Sequence, residues 1–161
     1  MTQGRSSSLT VTTPSDREIL MTREFDAPRD LLFRAYTDPA AIPHWWGPRR
    51  YTTTVEAMDV RPGGAWRYVS RGQDGVEYSF NGVYREIVPP ERIVCTFEFE
   101  GMPGHVSVDT VTFEERDGRT TLTVRSLFET VEDRDGMLGS GMEEGFAETL
   151  DRLAEHVRTM A

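Results

Sequence analysis

The segment MEEGFAETLDRLAEHV, residues 142–157, decides the fold because its hydrophobic period differs from that of the chain before it. Its apolar side chains recur at steps of three and four residues, and mostly acidic side chains occupy the other side. This period predicts an amphipathic helix of roughly five turns with one apolar stripe. The stripe has to be covered, and the concave face of a curved sheet is the natural surface for it.

The chain from Thr52 to Phe128 has the composition of a β-sheet. Clusters of Gly, Pro and Asp divide it into runs that are rich in β-branched and aromatic residues. Gly and Pro suit the dihedral angles of turns, and short turns favour antiparallel neighbours. Six consecutive antiparallel strands are therefore predicted in this part of the chain.

One further strand and two short helices are predicted before these six strands. Ile19, Met21 and Phe25 alternate with polar residues, which indicates a strand with one buried face. Residues 28–37 have helical spacing, and a second short helix is expected to end near residues 45–48. The sequence thus predicts an α+β fold in which a seven-stranded antiparallel sheet curves around the long C-terminal helix.

The length of 161 residues fits one domain, and no internal repeat is visible. Residues 1–16 are polar and rich in Ser and Thr, so we expect a flexible N-terminal lead before a folded domain over residues 17–161. Leu9 and Val11 alternate with Thr, which leaves a short additional strand open as an alternative for part of the lead.

The composition argues against several classes of partner. The formal net charge is −9, and nucleic acids and anionic membranes both repel an acidic surface. Cys95 is the single cysteine, so no intrachain disulfide forms and a reducing compartment is expected. No apolar run reaches transmembrane length, and no signal peptide is visible. These features predict a cytoplasmic protein that binds neither nucleic acid nor membranes.

Six short motifs occur in the order that is typical of a known superfamily. They are REFDAP (23–28), WWGP (45–48), DVRPGG (59–64), GVY (82–84), PPER (89–92) and MEEGF (142–146). On these motifs the chain resembles the START-like, or Bet v 1-like (SRPBCC), superfamily and its helix-grip fold. Within that superfamily it is most similar to the bacterial branch named after the activators of the heat-shock protein 90 ATPase.

The resemblance implies a cavity rather than one reaction. Superfamily members bind lipids, hormones, polyketides or other hydrophobic molecules between sheet and helix, and a few of them cyclise or hydrolyse these molecules. It implies first a protein that binds an apolar or amphipathic small molecule, and second a polyketide cyclase or hydrolase-like enzyme that uses the same cavity. A chaperone ATPase activator comes third, because the eukaryotic activators carry an additional domain that is not visible here.

Aromatic side chains on alternate strand positions are the candidate lining of such a cavity. Two interpretations remain open, a packed core and a ligand pocket. The hydroxyls of Tyr68, Tyr78 and Tyr84 favour a pocket because each needs a partner when buried, and Gly82 leaves room beside them. The predicted ligand-binding residues are Trp45, Trp66, Tyr68, Tyr78, Phe80, Tyr84, Glu86, Phe97, Phe99, Val111, Phe113, Met142, Phe146 and Leu150.

Glu86 and Arg23 are the charged candidates for holding a polar group of the ligand. By alternation, Glu86 shares a face with Tyr84, and Arg23 shares a face with Met21. A carboxylate and a guanidinium inside the cavity would pair with each other, and the alternatives are a solvated rim position or a structural ion pair. The other charged residues on strands, Asp109 among them, are mostly expected on the solvent face.

The Trp45-Trp46 pair has two open interpretations. One indole is a structural plug beneath the short helices, or one indole lines the mouth of the cavity, since loops at the end of a sheet often carry binding residues.

Metal, cofactor and nucleophile chemistry have little support in the sequence. His44, His105 and His156 belong to different predicted elements and lack metal-ligand spacing, so neither a metal nor another cofactor is predicted. Cys95 lies inside a strand and is expected to be an inert buried thiol. The sequence contains no lysine, which excludes Schiff-base chemistry, and no catalytic residue is predicted.

Overall fold

The structure is a computed structural model that describes residues 9–160. These residues form one antiparallel sheet and four helices. The strands are β1 (Thr10–Thr12), β2 (Glu18–Phe25), β3 (Thr52–Met58), β4 (Ala65–Arg71), β5 (Glu77–Val88), β6 (Arg92–Phe99), β7 (Val106–Arg116) and β8 (Arg119–Leu127). The helices are α1 (Arg29–Thr37), α2 (Ile42–Trp45), α3 (Val131–Leu138) and α4 (Met142–Met160).

The strand order in the sheet is β1-β2-β8-β7-β6-β5-β4-β3. The strands from β3 to β8 therefore form the predicted antiparallel meander, because each pairs with its neighbour in sequence. β2 pairs with β8 over the whole of its length, from Glu18 opposite Leu127 to Phe25 opposite Thr120. The predicted α+β architecture, with one antiparallel sheet and a long C-terminal helix, is confirmed.

The number of strands differs from the prediction of seven. β1 pairs with β2 and adds an eighth strand at the edge of the sheet, with Val11 opposite Met21. This strand lies inside the segment where a flexible lead was expected, and it is the alternative that the alternation of Leu9 and Val11 allowed. Residues 1–8 of that lead lie outside the described residues.

The hydrophobic core lies where the C-terminal half of α4 meets the sheet, α1 and α2. Leu150, Leu153 and Val157 form the buried stripe of α4. Leu32 of α1 and Ile42 of α2 are buried with them in one apolar cluster. This is the stripe that the period of three and four residues predicts, and it fixes the helix against the sheet.

α3 is a helix that the sequence analysis does not predict. Thr130 caps this helix by accepting a hydrogen bond from the Asp133 backbone N–H at 3.0 Å. Glu132 and Asp133 in the first turn favour the positive end of the helix dipole. None of the residues of α3 is buried, so the segment has no apolar stripe from which the helix could be predicted.

Among residues 9–160, no helix is both long and apolar enough to cross a membrane.

Candidate functional site

A cavity of about 610 Å³ lies between the concave face of the sheet and the N-terminal half of α4. Met142, Phe146 and Thr149 contribute to it from α4, and Met137 contributes from α3. Cavities of this volume are typical of sites that hold small organic molecules. We call the residues around this space the cavity wall.

Aromatic rings form one side of the cavity wall, and they pack against one another in edge-to-face, tilted and stacked pairs. The Trp46 ring lies 5.1 Å from the rings of both Tyr68 and Phe80. Phe80 in turn lies 5.7 Å from Phe97 and 5.3 Å from Phe99. The pairing of strands explains this arrangement, because Tyr68, Phe80 and Phe99 stand opposite one another on β4, β5 and β6.

Gly82 shapes the same side of the cavity wall by admitting the indole of Trp66. A Cβ atom on Gly82 would lie 2.4 Å from Nε1 of Trp66 and 1.9 Å from the carbonyl oxygen of Thr96. The room that this glycine leaves is therefore filled by Trp66 and not by empty space. The indole Nε1–H of Trp66 has no hydrogen-bond partner among the described residues.

A polar row crosses the floor of the cavity. Strand register places Tyr84 opposite Cys95, Cys95 opposite Asp109, and Asp109 opposite Ser126. Residues that stand opposite each other in an antiparallel pair point to the same face of the sheet. The row therefore brings a phenol, a thiol, a carboxyl group and a hydroxyl group to the same face, and all four side chains belong to the cavity wall.

Asp109 is the electrostatic centre of this row. Burial raises the pKa of its carboxyl group from 3.8 to about 6, although the hydroxyls of Ser126 and Ser107 act in the opposite direction. The residue is half-buried and belongs to the cavity wall. Oδ1 of Asp109 has no hydrogen-bond partner among the described residues.

Three tyrosines and the cysteine of the cavity wall stay neutral near neutral pH. Burial raises the pKa of Tyr84 to about 12, and it also raises the pKa of Tyr36 and of Tyr68. Burial likewise raises the pKa of the Cys95 thiol, and Asp109 adds to that shift. Because the thiolate is the reactive form, Cys95 is a poor nucleophile here, as the sequence predicts for a buried cysteine.

The family model for activator of Hsp90 ATPase homolog 1-like proteins matches residues 26–158. The chain belongs to this family. The match begins just after β2 and includes almost the whole of α4, so it covers both sides of the cavity. It confirms the resemblance to the START-like superfamily that the six motifs indicate. The family makes this a fold of ligand-binding type without naming a ligand for the chain.

Solved structures of similar proteins share the fold of this family member over most of its length. A crystal structure of a protein from Rhodobacter sphaeroides has a TM-score of 0.88 at 24% identity and covers 94% of this chain and 99% of its own. Protein Ms6760 from Mycobacterium smegmatis has a TM-score of 0.82 at 28% identity, with 91% and 95% covered. A solution structure of a protein from Arthrobacter aurescens has a TM-score of 0.86 at 27% identity, with 93% and 91% covered.

Among curated proteins, none matches this sequence.

The structure places most of the predicted ligand-binding residues in the cavity wall. Those that lie there are Trp45, Trp66, Tyr68, Tyr78, Phe80, Tyr84, Phe97, Phe99, Val111, Met142 and Phe146. Phe113, Leu150 and Glu86 do not line the cavity. A role for any of these residues in binding stays a prediction.

Glu86 was expected to point inward, and this expectation is wrong. Tyr84 stands opposite Cys95 while Glu86 stands opposite Val94, so β5 contains one extra residue, Arg85, at this point. Such a bulge reverses the alternation of side chains beyond it. Glu86 therefore leaves the concave face, is 47% exposed, and forms an ion pair with Arg92.

Phe113 and Leu150 point inward as predicted but lie in the packed core. Phe113 is 1% exposed and its ring lies 5.5 Å from Phe33 and 5.4 Å from Tyr36 beneath α1. Leu150 is fully buried one turn beyond Phe146. Both residues lie where the helices meet the sheet directly, so the cavity ends before it reaches them.

The plug interpretation of the tryptophan pair holds for Trp45, and the mouth interpretation stays a prediction. Trp45 is 1% exposed and its Nε1–H donates to the carbonyl oxygen of Ala35 at 3.0 Å, as a structural plug would. Trp45 also belongs to the cavity wall, and Trp46 packs along its aromatic side against Tyr68 and Phe80. Trp46 was not among the predicted binding residues.

Asp109 is the most important residue of the cavity wall that the sequence analysis did not predict to lie there. It was expected on the solvent face together with the other charged residues on strands. The signal that could have found it is the alternation of Ser107, Asp109, Val111 and Phe113 on β7, because the last two were already predicted to face inward. Tyr36 of α1 also joins the cavity wall although only its helix was predicted.

Two of the three histidines meet in space although they are far apart in sequence. The rings of His44 and His156 stack with their centroids 5.1 Å apart and an angle of 6° between their planes. Within residues 9–160, groups of three or more His, Cys, Asp or Glu side chains that could hold a metal ion are not found.

Proposed function

We propose that this protein binds an apolar or amphipathic small molecule in the cavity between the sheet and α4. The observation that carries the proposal is the cavity of about 610 Å³ with a wall of aromatic and aliphatic side chains. Apolar surface that faces a cavity is available to a guest, and burying it against a ligand is favourable because water is released. The membership of a family with a ligand-binding fold supports the same conclusion.

The mechanism of binding is burial of the ligand's apolar part against the aromatic side of the cavity wall. Burying one large apolar side chain stabilises by about 1.5–3 kcal/mol, and an apolar ligand group of similar size gains a similar amount before the cost of ordering is subtracted. Trp46 and Phe97 offer ring faces for this contact, and Met142 and Phe146 offer the flexible side chains of α4. The polar row at the floor sets the orientation of the ligand.

Fluorescence titration with N-phenylnaphthylamine tests the proposal, since this neutral apolar probe becomes bright in a dry site. The wild-type protein is expected to bind one molecule per chain at micromolar concentration. Met142→Trp places extra volume in the cavity and is expected to weaken this binding by roughly tenfold, or about 1.4 kcal/mol. Met102→Trp is the matched control because Met102 is 57% exposed in a turn and lies outside the cavity wall.

Absence of probe binding by the folded wild-type protein, or equal binding by the Met142→Trp and Met102→Trp variants, would overturn the proposal.

A further inference from the structure

The cavity wall carries an unbalanced charge. Among the described residues that line the cavity, Asp109 is the only one with a side chain that is charged near neutral pH, and no Arg or His lies there. Arg23, which was expected to provide a guanidinium, pairs with Asp151 of α4 and lies outside the cavity wall. A ligand inside the cavity therefore meets a single carboxyl group and no cation.

The protein also does not provide a hydrogen-bond partner for both oxygens of the carboxyl group. Its neighbours in the row are the Cys95 thiol on β6 and the Ser126 hydroxyl on β8, and both are neutral. Oδ1 is buried without a hydrogen-bond partner among the described residues. Buried polar atoms in folded proteins nearly always have a partner, and a buried carboxylate without a counter-charge is destabilising. The hydroxyls of Ser126 and Ser107 interact with the carboxyl group, but neither of them brings a positive charge that balances it.

A guest in the cavity is placed to provide the missing positive charge, because Asp109 belongs to the cavity wall. A protonated amine carries both a positive charge and several N–H donors, and hydrogen bonds between charged partners are roughly twice as strong as neutral ones. The aromatic rings around the site add a second attraction, since cations are stabilised over the faces of Trp and Tyr. A ligand with a carboxylate would instead bring a second negative charge next to Asp109.

We propose that the natural ligand is a hydrophobic amine whose ammonium group binds the Asp109 carboxylate while its apolar part lies against the aromatic side of the cavity wall. This inference rests on the proposed function, because it specifies the chemistry of a ligand in the same cavity. The acidic character of the whole chain, with a net charge of −9, favours the entry of such a cation over the entry of an anion.

Three matched compounds test this proposal, namely naphthylethylamine, naphthylethanol and naphthylacetic acid. They share one apolar ring system and differ in being cationic, neutral and anionic. Their affinities are measured by displacement of N-phenylnaphthylamine from the wild-type protein near pH 7.5. The amine is expected to bind roughly tenfold more tightly than the alcohol, which corresponds to about 1.4 kcal/mol, and the acid is expected to bind least.

The Asp109→Asn variant removes the charge and keeps the shape of the side chain. Its ratio of amine affinity to alcohol affinity is expected to fall to about one, and far-UV circular dichroism controls for its fold. The pH dependence of the wild-type protein gives a second test if the variant does not fold. Amine affinity is expected to rise between about pH 5 and pH 7.5 as Asp109 ionises, while alcohol affinity stays flat.

The other titratable groups around Asp109 do not ionise in this range. Cys95 of β6, Tyr84 of β5 and Tyr36 of α1 all have pKa values raised by burial. Equal affinities for the amine and the alcohol in a wild-type protein that still binds N-phenylnaphthylamine would overturn the inference and leave the proposed function intact. Loss of N-phenylnaphthylamine binding itself would remove both.

Discussion

The guanidinium of Arg23 on β2 lies 3.3 Å from the carboxylate of Asp151 on α4, so an ion pair joins the sheet to the helix that covers it. Arg23 is 5% exposed and Asp151 is 56% exposed, so the pair extends from the core to the surface. Burial lowers the pKa of Arg23, and the Asp151 carboxylate acts in the opposite direction. The guanidinium also lies over the ring of Phe25, at 4.7 Å from its centroid.

Replacement of Asp151 by Asn is expected to destabilise the fold. The variant removes the carboxylate charge that opposes the desolvation of the buried Arg23 guanidinium, and a hydrogen bond to a charged group is worth about 1.5–3 kcal/mol. Half of the Asp151 side chain is open to water, so the lower part of this range is expected. Urea unfolding monitored by circular dichroism measures the change in the free energy of unfolding.

The control for this experiment is Asp59→Asn, which breaks an exposed ion pair with Arg61 at 2.8 Å. Exposed pairs contribute about 0.2–1 kcal/mol, so this variant is expected to change stability much less. Equal effects of the two substitutions would mean that the Arg23 pair contributes no more than an ordinary surface pair.

Replacement of Asp109 by Asn is expected to stabilise the protein at pH 7.5 by up to about 3 kcal/mol. The pKa of Asp109 is higher in the folded state than its ordinary value of 3.8, at about 6. The folded state therefore binds more protons between these values, and stability falls as pH rises through this window. A shift of one unit corresponds to about 1.4 kcal/mol, which sets the size of the expected gain.

The same variant is expected to show almost no gain at pH 4, where Asp109 is protonated in the folded protein. Thermal unfolding of the variant and the wild type at the two pH values measures the difference. Glu114→Gln is the matched control, because Glu114 lies on the same strand and is exposed. A gain of equal size at both pH values would contradict the link to ionisation of Asp109.

The sequence predicts the architecture because two hydrophobic periods mark the sheet and the final helix. The same alternation identifies most of the aromatic cavity wall, since the face to which a strand residue points follows from its position alone. The bulge at Arg85 is a local insertion in β5 that the alternation does not reveal, and it explains the wrong orientation of Glu86.

Asp109 and α3 were missed for different physical reasons. Asp109 obeys the alternation of β7 but is charged, and a charged residue is rarely buried without a counter-charge. α3 has a capping threonine but no buried residue, so local hydrogen bonds rather than a hydrophobic stripe define it. The volume of the cavity depends on how far α4 stands from the sheet, which no short segment of sequence determines.

Replacement of Gly82 by Ala is expected to destabilise the protein by about 1–3 kcal/mol, as overpacking of a core does. The new Cβ atom would lie 1.9 Å from the Thr96 carbonyl oxygen and 2.4 Å from Nε1 of Trp66, so both the strand pair and the indole have to move. Chemical denaturation measures the stability, and displacement of Trp66 is expected to weaken N-phenylnaphthylamine binding as well.

Gly136→Ala is the matched glycine control within α3. A Cβ atom at Gly136 meets no atom within 4 Å, and alanine favours a helix over glycine by about 0.5–1 kcal/mol. This variant is therefore expected to keep or slightly raise the free energy of unfolding. Equal losses in both variants would mean that the contact of Gly82 with Trp66 is not the cause.

The stacked pair of His44 and His156 is expected to make the protein less stable as pH falls below the ordinary histidine pKa of 6.5. The pKa of His156 is lowered by burial first and by the charge of His44 second, while Asp38 acts in the opposite direction. The unfolded chain therefore binds the proton more tightly than the folded protein, and stability rises with pH through the window below 6.5. His156→Gln removes this proton uptake, so its stability relative to wild type is expected to increase steadily as pH falls from about 7 to 5.

In a His44→Gln background the same substitution is expected to have a smaller effect, because the like charge that it relieves is already absent. Urea unfolding of the four proteins at each pH measures both effects, and a benefit of His156→Gln that does not grow towards low pH would refute this account of the pair.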